Sequence, residues 1–516
     1  MLGDSAISAR DTANDSDAVD FRMSAVALLV PCPERGSRAL LAEIDSEALR
    51  DALTYLGARV AAVRFDAAAI SSERAYLPPG DSGFDTVIVD TGAWSRAAVS
   101  EADQSRMLVE LTGRMRPGAV LLMITLNPIA QVWAEARARG SRRRAAIDVA
   151  SWLLRRRHPL SLLARPWGNA ALTRAGLFPG AVFLPSSSMS DLRSIRSRRA
   201  PTQTSLRQSW RPADRLTRFL LRHFGHYLAS EHIVLWSTAS RGRPAPVPLC
   251  HEIGGDRCTL IPMPAGLRVG IDSENGFVKF PLDQGEADWT PVEVEDTNRA
   301  AADVWHGYAT PWATLEAFEE VPYARFPHID HAVRSRAEAE EALAEVYRHV
   351  TARADEESLL GETDVVRRAT SASAAPKSAE RRRALRAVRD VGQQRVAVML
   401  SHGDLHEANI LISDRETRII DWESAQSNPV FLDPLFSANY FRHQGVGWFD
   451  PLIAWVRGED IGPLGRIAEE HLDGLPKTTA ALLAILHGFN NYESEGAVPD
   501  EIVRDAEQAI RVILGR

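Results

Sequence analysis

One short stretch of this 516-residue chain holds the side chains best suited to chemistry, His402–Glu423, HGDLHEANILISDRETRIIDWE. Asp404 follows the apolar run Val396–Leu400, and Asn409 comes five residues later. Asp421 ends the run Arg418–Ile420, just after a turn at Ser413–Thr417. A hairpin of this kind brings two carboxylates and an amide oxygen to one end of a sheet. A magnesium ion takes hard oxygen ligands and keeps substrate phosphates among them, so one carboxylate and one amide oxygen suffice from the protein. The second carboxylate is left to accept or orient the proton of a nucleophilic hydroxyl. These are the parts that phosphoryl transfer requires. A single loop aspartate is usually a turn residue, but turns alone do not account for all three parts in this order.

The stretch resembles the aminoglycoside phosphotransferase and choline kinase group of protein-kinase-like enzymes, whose signature is H-G-D-x-H-x-x-N followed by I-D-W/F-E. The resemblance implies an α+β, bilobal kinase-like domain that uses ATP and Mg2+. Carried over position by position, it implies that Asp404 is the catalytic base and that Asn409 and Asp421 hold the metal. His402 and His406 match the motif histidines, with His402 bracing the catalytic loop. Asp433, in FLDPLF, matches an aspartate that supports that loop.

Such an enzyme also needs a strand lysine on the nucleotide phosphates, paired with a helix glutamate. Lys279 in GFVKFPL fits, on the strand FVKFP directly after the Asn275-Gly276 turn that separates it from the strand LRVGI. Alternation puts Phe277 and Lys279 on one face, with Val278 and Phe280 on the other. Glu295, in VEVEDTNRAADVW, is the expected partner, with Glu293 as competitor on a helix over about 292–308. No G-x-G-x-x-G precedes Lys279. The nearest cover over the phosphates is Pro262–Gly266, which makes Gly266 a nucleotide-binding candidate. Ala309–Pro327 has few β-branched runs where further strands and the hinge belong. Trp448, Trp455 and Asn490–Glu493 are candidates for acceptor contacts, although core packing explains the tryptophans equally well.

The elements upstream are of another kind. Ala25–Val30, Arg59–Phe65, Asp85–Val89 and Ala119–Leu126 read as strands that are apolar throughout, separated by helical patterns at Ser37–Leu56 and Ser105–Arg116. Such strands belong to a mostly parallel sheet covered on both faces, an α/β doubly wound, Rossmann-like domain. GFDTVIVDTGAW, then LVELTGRMRPGAVLLMITLNP, resembles the second half of a class I S-adenosylmethionine-dependent methyltransferase, and NAALTRAGLFPGAVFLPS resembles its closing helix and strand. The glycine turn expected after the first strand is replaced by VPCPERGSRAL. A degenerate, non-catalytic domain follows, with S-adenosylmethionine not expected; Asp66, at the end of the second strand, matches the ribose-binding acidic residue, although an aspartate there is more often a cap.

Composition sets the frame: 45% hydrophobic, 25% charged, net charge -8. These values belong to folded domains, and the acidic balance argues against a nucleic-acid binder. No run approaches the ~20 apolar residues of a membrane span. Cys32, Cys250 and Cys258 are too few and too scattered for a disulfide framework or a zinc site, which fits a cytoplasmic protein. The expected organisation is a disordered leader (1–22), the α/β domain (23–190), a basic linker and docking helix (191–222), and the kinase-like domain (223–516), its small lobe ending near 325. The arginine-rich linker is a candidate site for an acidic partner. The leading expectation is transfer of the γ-phosphoryl group to a hydroxyl of a small molecule or of a peptide Ser/Thr. The alternatives are a pseudokinase/methyltransferase-like scaffold and a bifunctional kinase and methyltransferase.

Overall fold

A computed structural model describes residues 23–63, 82–92, 101–126, 170–185, 195–197, 231–238, 246–263, 267–310, 312–329, 335–371, 378–413, 416–443, 447–494 and 500–515. The leader, Asp66, Gly266 and nearly all of the basic stretch 191–222 lie outside them. The described residues divide into two compact units: one formed by those within 23–288 and 316–328, the other by those within 289–315 and 329–516.

The first unit is built on one sheet. Its strands in chain order are β1 (Arg38–Ala42), β2 (Arg59–Val63), β3 (Phe84–Asp90), β4 (Met115–Leu126), β5 (Leu177–Pro185), β6 (Ile195–Ser197), β7 (Glu231–Thr238), β8 (Thr259–Pro262), β9 (Arg268–Ser273), β10 (Gly276–Pro281), β11 (Thr314–Phe318) and β12 (Val321–Phe326). Among the described residues these form a twelve-stranded sheet in the order β11-β12-β10-β9-β8-β6-β5-β7-β4-β3-β1-β2. β1, β2, β3 and β4 pair in parallel, while β7 lies antiparallel between β4 and β5.

Helices α1 (Glu47–Tyr55), α2 (Glu101–Gly113), α3 (Ala170–Arg174) and α4 (Leu249–Gly254) accompany the strands, while α5 (Gln284–Ala302) belongs to the second unit from residue 289 onward. Successive residues of the parallel strands enter different cores. Leu41, Ile88 and Leu122 pack with Leu49 and Leu53 of α1, while Leu40, Val87 and Leu121 pack with Met107 and Leu111 of α2. Both faces are therefore covered, as the uniformly apolar strands require. The core containing Leu41 continues through Leu260, Ile271, Val278 and Phe280.

Several expectations are corrected. Ser24–Leu29 is a buried 3-10 helix rather than a strand, because a six-residue apolar run can satisfy burial in either form. The first strand falls inside the segment expected to be helical, so Ser37–Leu56 splits into β1 and α1, with Ser46 capping the helix through the N–H of Leu49. Ile195–Ser197, placed in the linker, is a strand joining β5 to β8. The strands on either side of the expected linker thus share one sheet. β11 and β12 form despite their poor β-branched content.

The second unit holds sheet β13-β14-β17 (Glu356–Leu359, Arg395–Ser401, Gln426–Pro429) and hairpin β15-β16 (Ile410–Ile412, Thr417–Ile419). Its helices are α6 (Arg336–Thr351), α7 (Asp364–Thr370), α8 (Ala379–Asp390), α9 (Leu432–Arg442), α10 (Asp450–Val456), α11 (Pro463–Glu470), α12 (Lys477–Ser494) and α13 (Asp500–Ile513). Trp305, Trp422, Tyr347 and Trp455 are buried together in one core. No helix among the described residues is long and apolar enough to cross a membrane.

Candidate active site

The loop after β14 is fixed from below. Ser401 and His402 are fully buried at the strand end. The carboxylate of Asp433, on α9, accepts the N–H of His402 at 2.6 Å and that of Gly403 at 3.3 Å. Burial lifts the Asp433 carboxyl to about 6, against the pull of those two N–H groups. The His402 ring accepts the Asp404 N–H at Nδ1 (3.3 Å), so Nε2 carries the proton and donates to the Ile420 carbonyl at 2.8 Å. Burial lowers the pKa of this imidazole, and the neutral tautomer makes both bonds. Trp422 stacks tilted on it at 4.8 Å.

Asn409 is tied to the same loop. Its Nδ2 donates to the Asp404 carbonyl at 2.8 Å, which leaves Oδ1 as the atom that can face a cation. Hairpin β15-β16 then returns the chain, and the Ile420 N–H donates to the Asn409 carbonyl at 3.0 Å. Asp421 follows at φ 72°, a left-handed conformation that few side chains adopt. There its carboxylate joins those of Glu293 and Glu423, with one oxygen from each within 4.8 Å of the others. Beside Asp404, His406 accepts the Ala408 N–H at Nδ1 and directs Nε2 to the Asp404 carboxylate at 3.7 Å.

The Asp404 carboxylate, the Asn409 amide and a cluster of three carboxylates, two of them just after hairpin β15-β16, are now in place. Residues 198–460 match the phosphotransferase enzyme family, slightly more than half of the chain. The chain belongs to this family.

As a phosphotransferase it acts with a hydroxyl group as acceptor. Among solved structures, a choline/ethanolamine kinase family protein from Mesorhizobium loti is similar at 12% identity, covering 50% of this chain and 88% of that one with a TM-score of 0.29. A choline kinase from Cryptosporidium parvum Iowa II has 12% identity, covering 51% and 90%, with a TM-score of 0.31. The choline kinase LicA from Streptococcus pneumoniae has 12% identity, covering 49% and 90%, with a TM-score of 0.30. No curated protein matches the chain.

Of the residues singled out in the sequence, the second unit of the phosphotransferase brings together Asp404, Asn409, Asp421, His402 and Asp433. Glu295 is not among them. α5 begins at Gln284, eight residues earlier than expected, so Glu295 lies mid-helix and exposed. Glu293 is the buried member, 1% exposed. Lys279 lies in the first unit, buried on β10 with its Nζ 5.7 Å from the centroid of Phe326. Gly266 lies outside the described residues, as do the side chains of Asn490–Glu493. Trp455 is core; Trp448 is half-buried, 4.3 Å from the ring of His443.

Sequence reasoning missed three supports of this phosphotransferase loop. His487 of α12, fully buried, donates from Nε2 to the Gly403 carbonyl at 2.7 Å, and burial lowers its pKa to about 4. Trp305 donates from Nε1 to the Leu400 carbonyl at 2.6 Å. Tyr440, its pKa raised by burial and by Glu407, places its ring 5.5 Å from that of His406. A lone polar ring inside the apolar run of α12 was the one available signal, and it reads equally well as a core histidine.

Proposed function

We propose that the protein transfers the γ-phosphoryl group of ATP to the hydroxyl of a small molecule, or of a Ser/Thr side chain in a biosynthetic peptide. The observation that carries this reading is the Asn409–Asp404 bond, which holds a carboxylate and an amide oxygen on one loop beside Asp421. Asp404, half-exposed, is the group that orients the acceptor hydroxyl and takes its proton. His406 and Tyr440 flank it on the acceptor side.

The donor set fits a hard divalent cation. Asn409 Oδ1 and Asp421 are oxygen ligands of the kind Mg2+ takes, and a dication offsets the repulsion of three carboxylates within 4.8 Å. When bound, the ion neutralises charge developing on the transferred phosphoryl group. Lys279 is proposed as the phosphate-gripping lysine, and Glu293 in place of Glu295 as the acidic partner on α5.

The α/β part is proposed to be a non-catalytic, methyltransferase-like domain. The turn from β1 to α1, Glu43–Ser46, contains no glycine, and Glu43 itself takes φ 61°. Backbone there cannot approach a cofactor as a glycine turn does. Calorimetry with S-adenosylmethionine tests this, and a measurable heat of binding would overturn it.

Turnover of labelled ATP, with Mg2+ and a panel of hydroxyl compounds and peptides, tests the main reading. Asp404→Ala is expected to lose at least ~10²-fold in rate. Equal rates in the variant and the parent chain would end the kinase reading and favour a scaffold.

A further inference from the structure

We propose that Cys250, His251 and Cys258 form a zinc site that fastens α4 to the start of β8, independent of phosphoryl transfer. Cys250 lies in the first turn of α4, and Cys258 immediately precedes Thr259, the first residue of β8. The sequence spacing looked too irregular for metal, but the fold closes it. One ligand atom from each of the three residues lies within 4.8 Å of the other two.

The donor types choose the ion. Two sulfurs and an imidazole are a soft-to-borderline set that suits zinc and does not suit magnesium or calcium. Tetrahedral zinc with bonds of about 2.0–2.3 Å sets ligand–ligand edges of roughly 3.4–3.8 Å, so donors that lie within 4.8 Å of one another need close by about 1.4 Å at most. Packing alone accounts for two buried cysteines, because free cysteine is among the most buried residue types. It does not account for an imidazole held beside both sulfurs. Around them the core is Leu249, Ile253, Leu260 and Ile271. The His251 ring is set against Phe183 at 5.3 Å, which limits its rotation.

Charge balance favours the same ion. Cys250 and Cys258 are 0% and 1% exposed, so a charge carried by either sulfur would be buried and needs a counter-charge beside it. Zinc replaces one proton on each sulfur: Zn2+ plus two thiols and a neutral imidazole gives the three-ligand complex and two H+. The dication and two thiolates sum to zero, which is the state a buried site tolerates. A water on the half-exposed His251 side completes four-coordination. A six-residue helix has little stability of its own, so a metal bridging it to the start of β8 would add to the packing of Leu249 and Ile253 that holds it.

The test uses the full chain, stripped with chelator and titrated with Zn2+ alone. Expected are one thiolate-bound zinc per chain, two protons released for it, and protection of Cys250 and Cys258 from a thiol reagent. Cys32, which lies outside the cluster, serves as the unligated control and should label equally with and without Zn2+. Cobalt(II) substitution should give thiolate charge-transfer absorption, which the carboxylates of the other unit cannot produce. Replacing a buried cysteine risks misfolding, so the deciding variant is His251→Gln, at a half-buried position. It should weaken zinc binding at least ~10-fold while ATP turnover is unchanged. Absence of thiolate-bound zinc, an unchanged affinity in His251→Gln, or a Cys250–Cys258 disulfide in the chain as isolated would overturn the proposal.

Discussion

The imidazole of His487 donates a hydrogen bond to the backbone carbonyl of Gly403 at 2.7 Å, joining α12 to the loop that carries Asp404. Burial lowers the pKa of this ring to about 4, whereas an unfolded histidine titrates near 6.5. Between these values the unfolded chain binds the extra proton, so stability is present above about 6.5 and is lost as pH falls through 4. The loss is about 3 kcal/mol. Asp433 acts oppositely over part of the same range, since its raised pKa of about 6 makes its contribution fade as pH rises from about 4 to 6. Urea unfolding from pH 4 to 7 should therefore compare the parent chain with His487→Gln, in which Asp433 is common to both. The stability gap between them should be widest at neutral pH and shrink in acid; a constant gap would rule out the titration.

Gly403 itself cannot be replaced cheaply. It sits at φ 88°, and a Cβ there would meet the Ser424 carbonyl oxygen at 2.4 Å. Gly403→Ala should lose about 2 kcal/mol or more of unfolding free energy. Displacing the loop by about 1 Å should also cost ~10²-fold in turnover. Retained turnover in a stable Gly403→Ala would show that the loop tolerates another path.

The two glutamates of α5 differ in a way kinetics can read. Glu293 lies with Asp421 and Glu423, while Glu295 is exposed. Glu293→Gln should lower kcat/KM for ATP about tenfold or more, as expected for loss of an interaction with a charged group. Glu295→Gln should remain within about twofold of the parent. The reverse order would return the role to Glu295.

Asp421 holds a conformation that costs about 1–2 kcal/mol for a residue with a side chain. Asp421→Gly releases that strain and adds about 0.5–1 kcal/mol of unfolded-chain entropy. The variant should unfold at the parent's temperature or slightly above it while turnover is lost. A fall of several degrees by calorimetry would mean that the side chain supports the fold rather than the reaction.

The geometry of the loop that carries Asp404 was legible because its members are close in sequence and one hairpin closes them. Asp404, Asn409 and Asp421 needed only a turn at 413–417 to meet. The choice between Glu293 and Glu295 depended on the phase of α5. Glu293, Thr297 and Ala300 share its buried face, but a helix expected only from about 292 does not fix that phase at its first turn. His487 and Trp305 were invisible because they reach the loop from distant parts of the chain. In the first unit, Ala25–Val30 and the β1 region traded identities, since a short apolar run fits a buried helix turn as well as a strand. Cys258 joined Cys250 and His251 only once α4 and β8 had fixed its place.

Strand β6 pairs Ile195 with Leu260 and Arg196 with Thr259 of β8, and the family match begins at 198, just past it. A fragment trimmed to that match would discard β6 and leave β8 as a raw border, with the buried Leu260 and Thr259 turned into a template for foreign strands. The stretch that the family match covers is thus short of a whole folding unit by at least one strand of its own sheet.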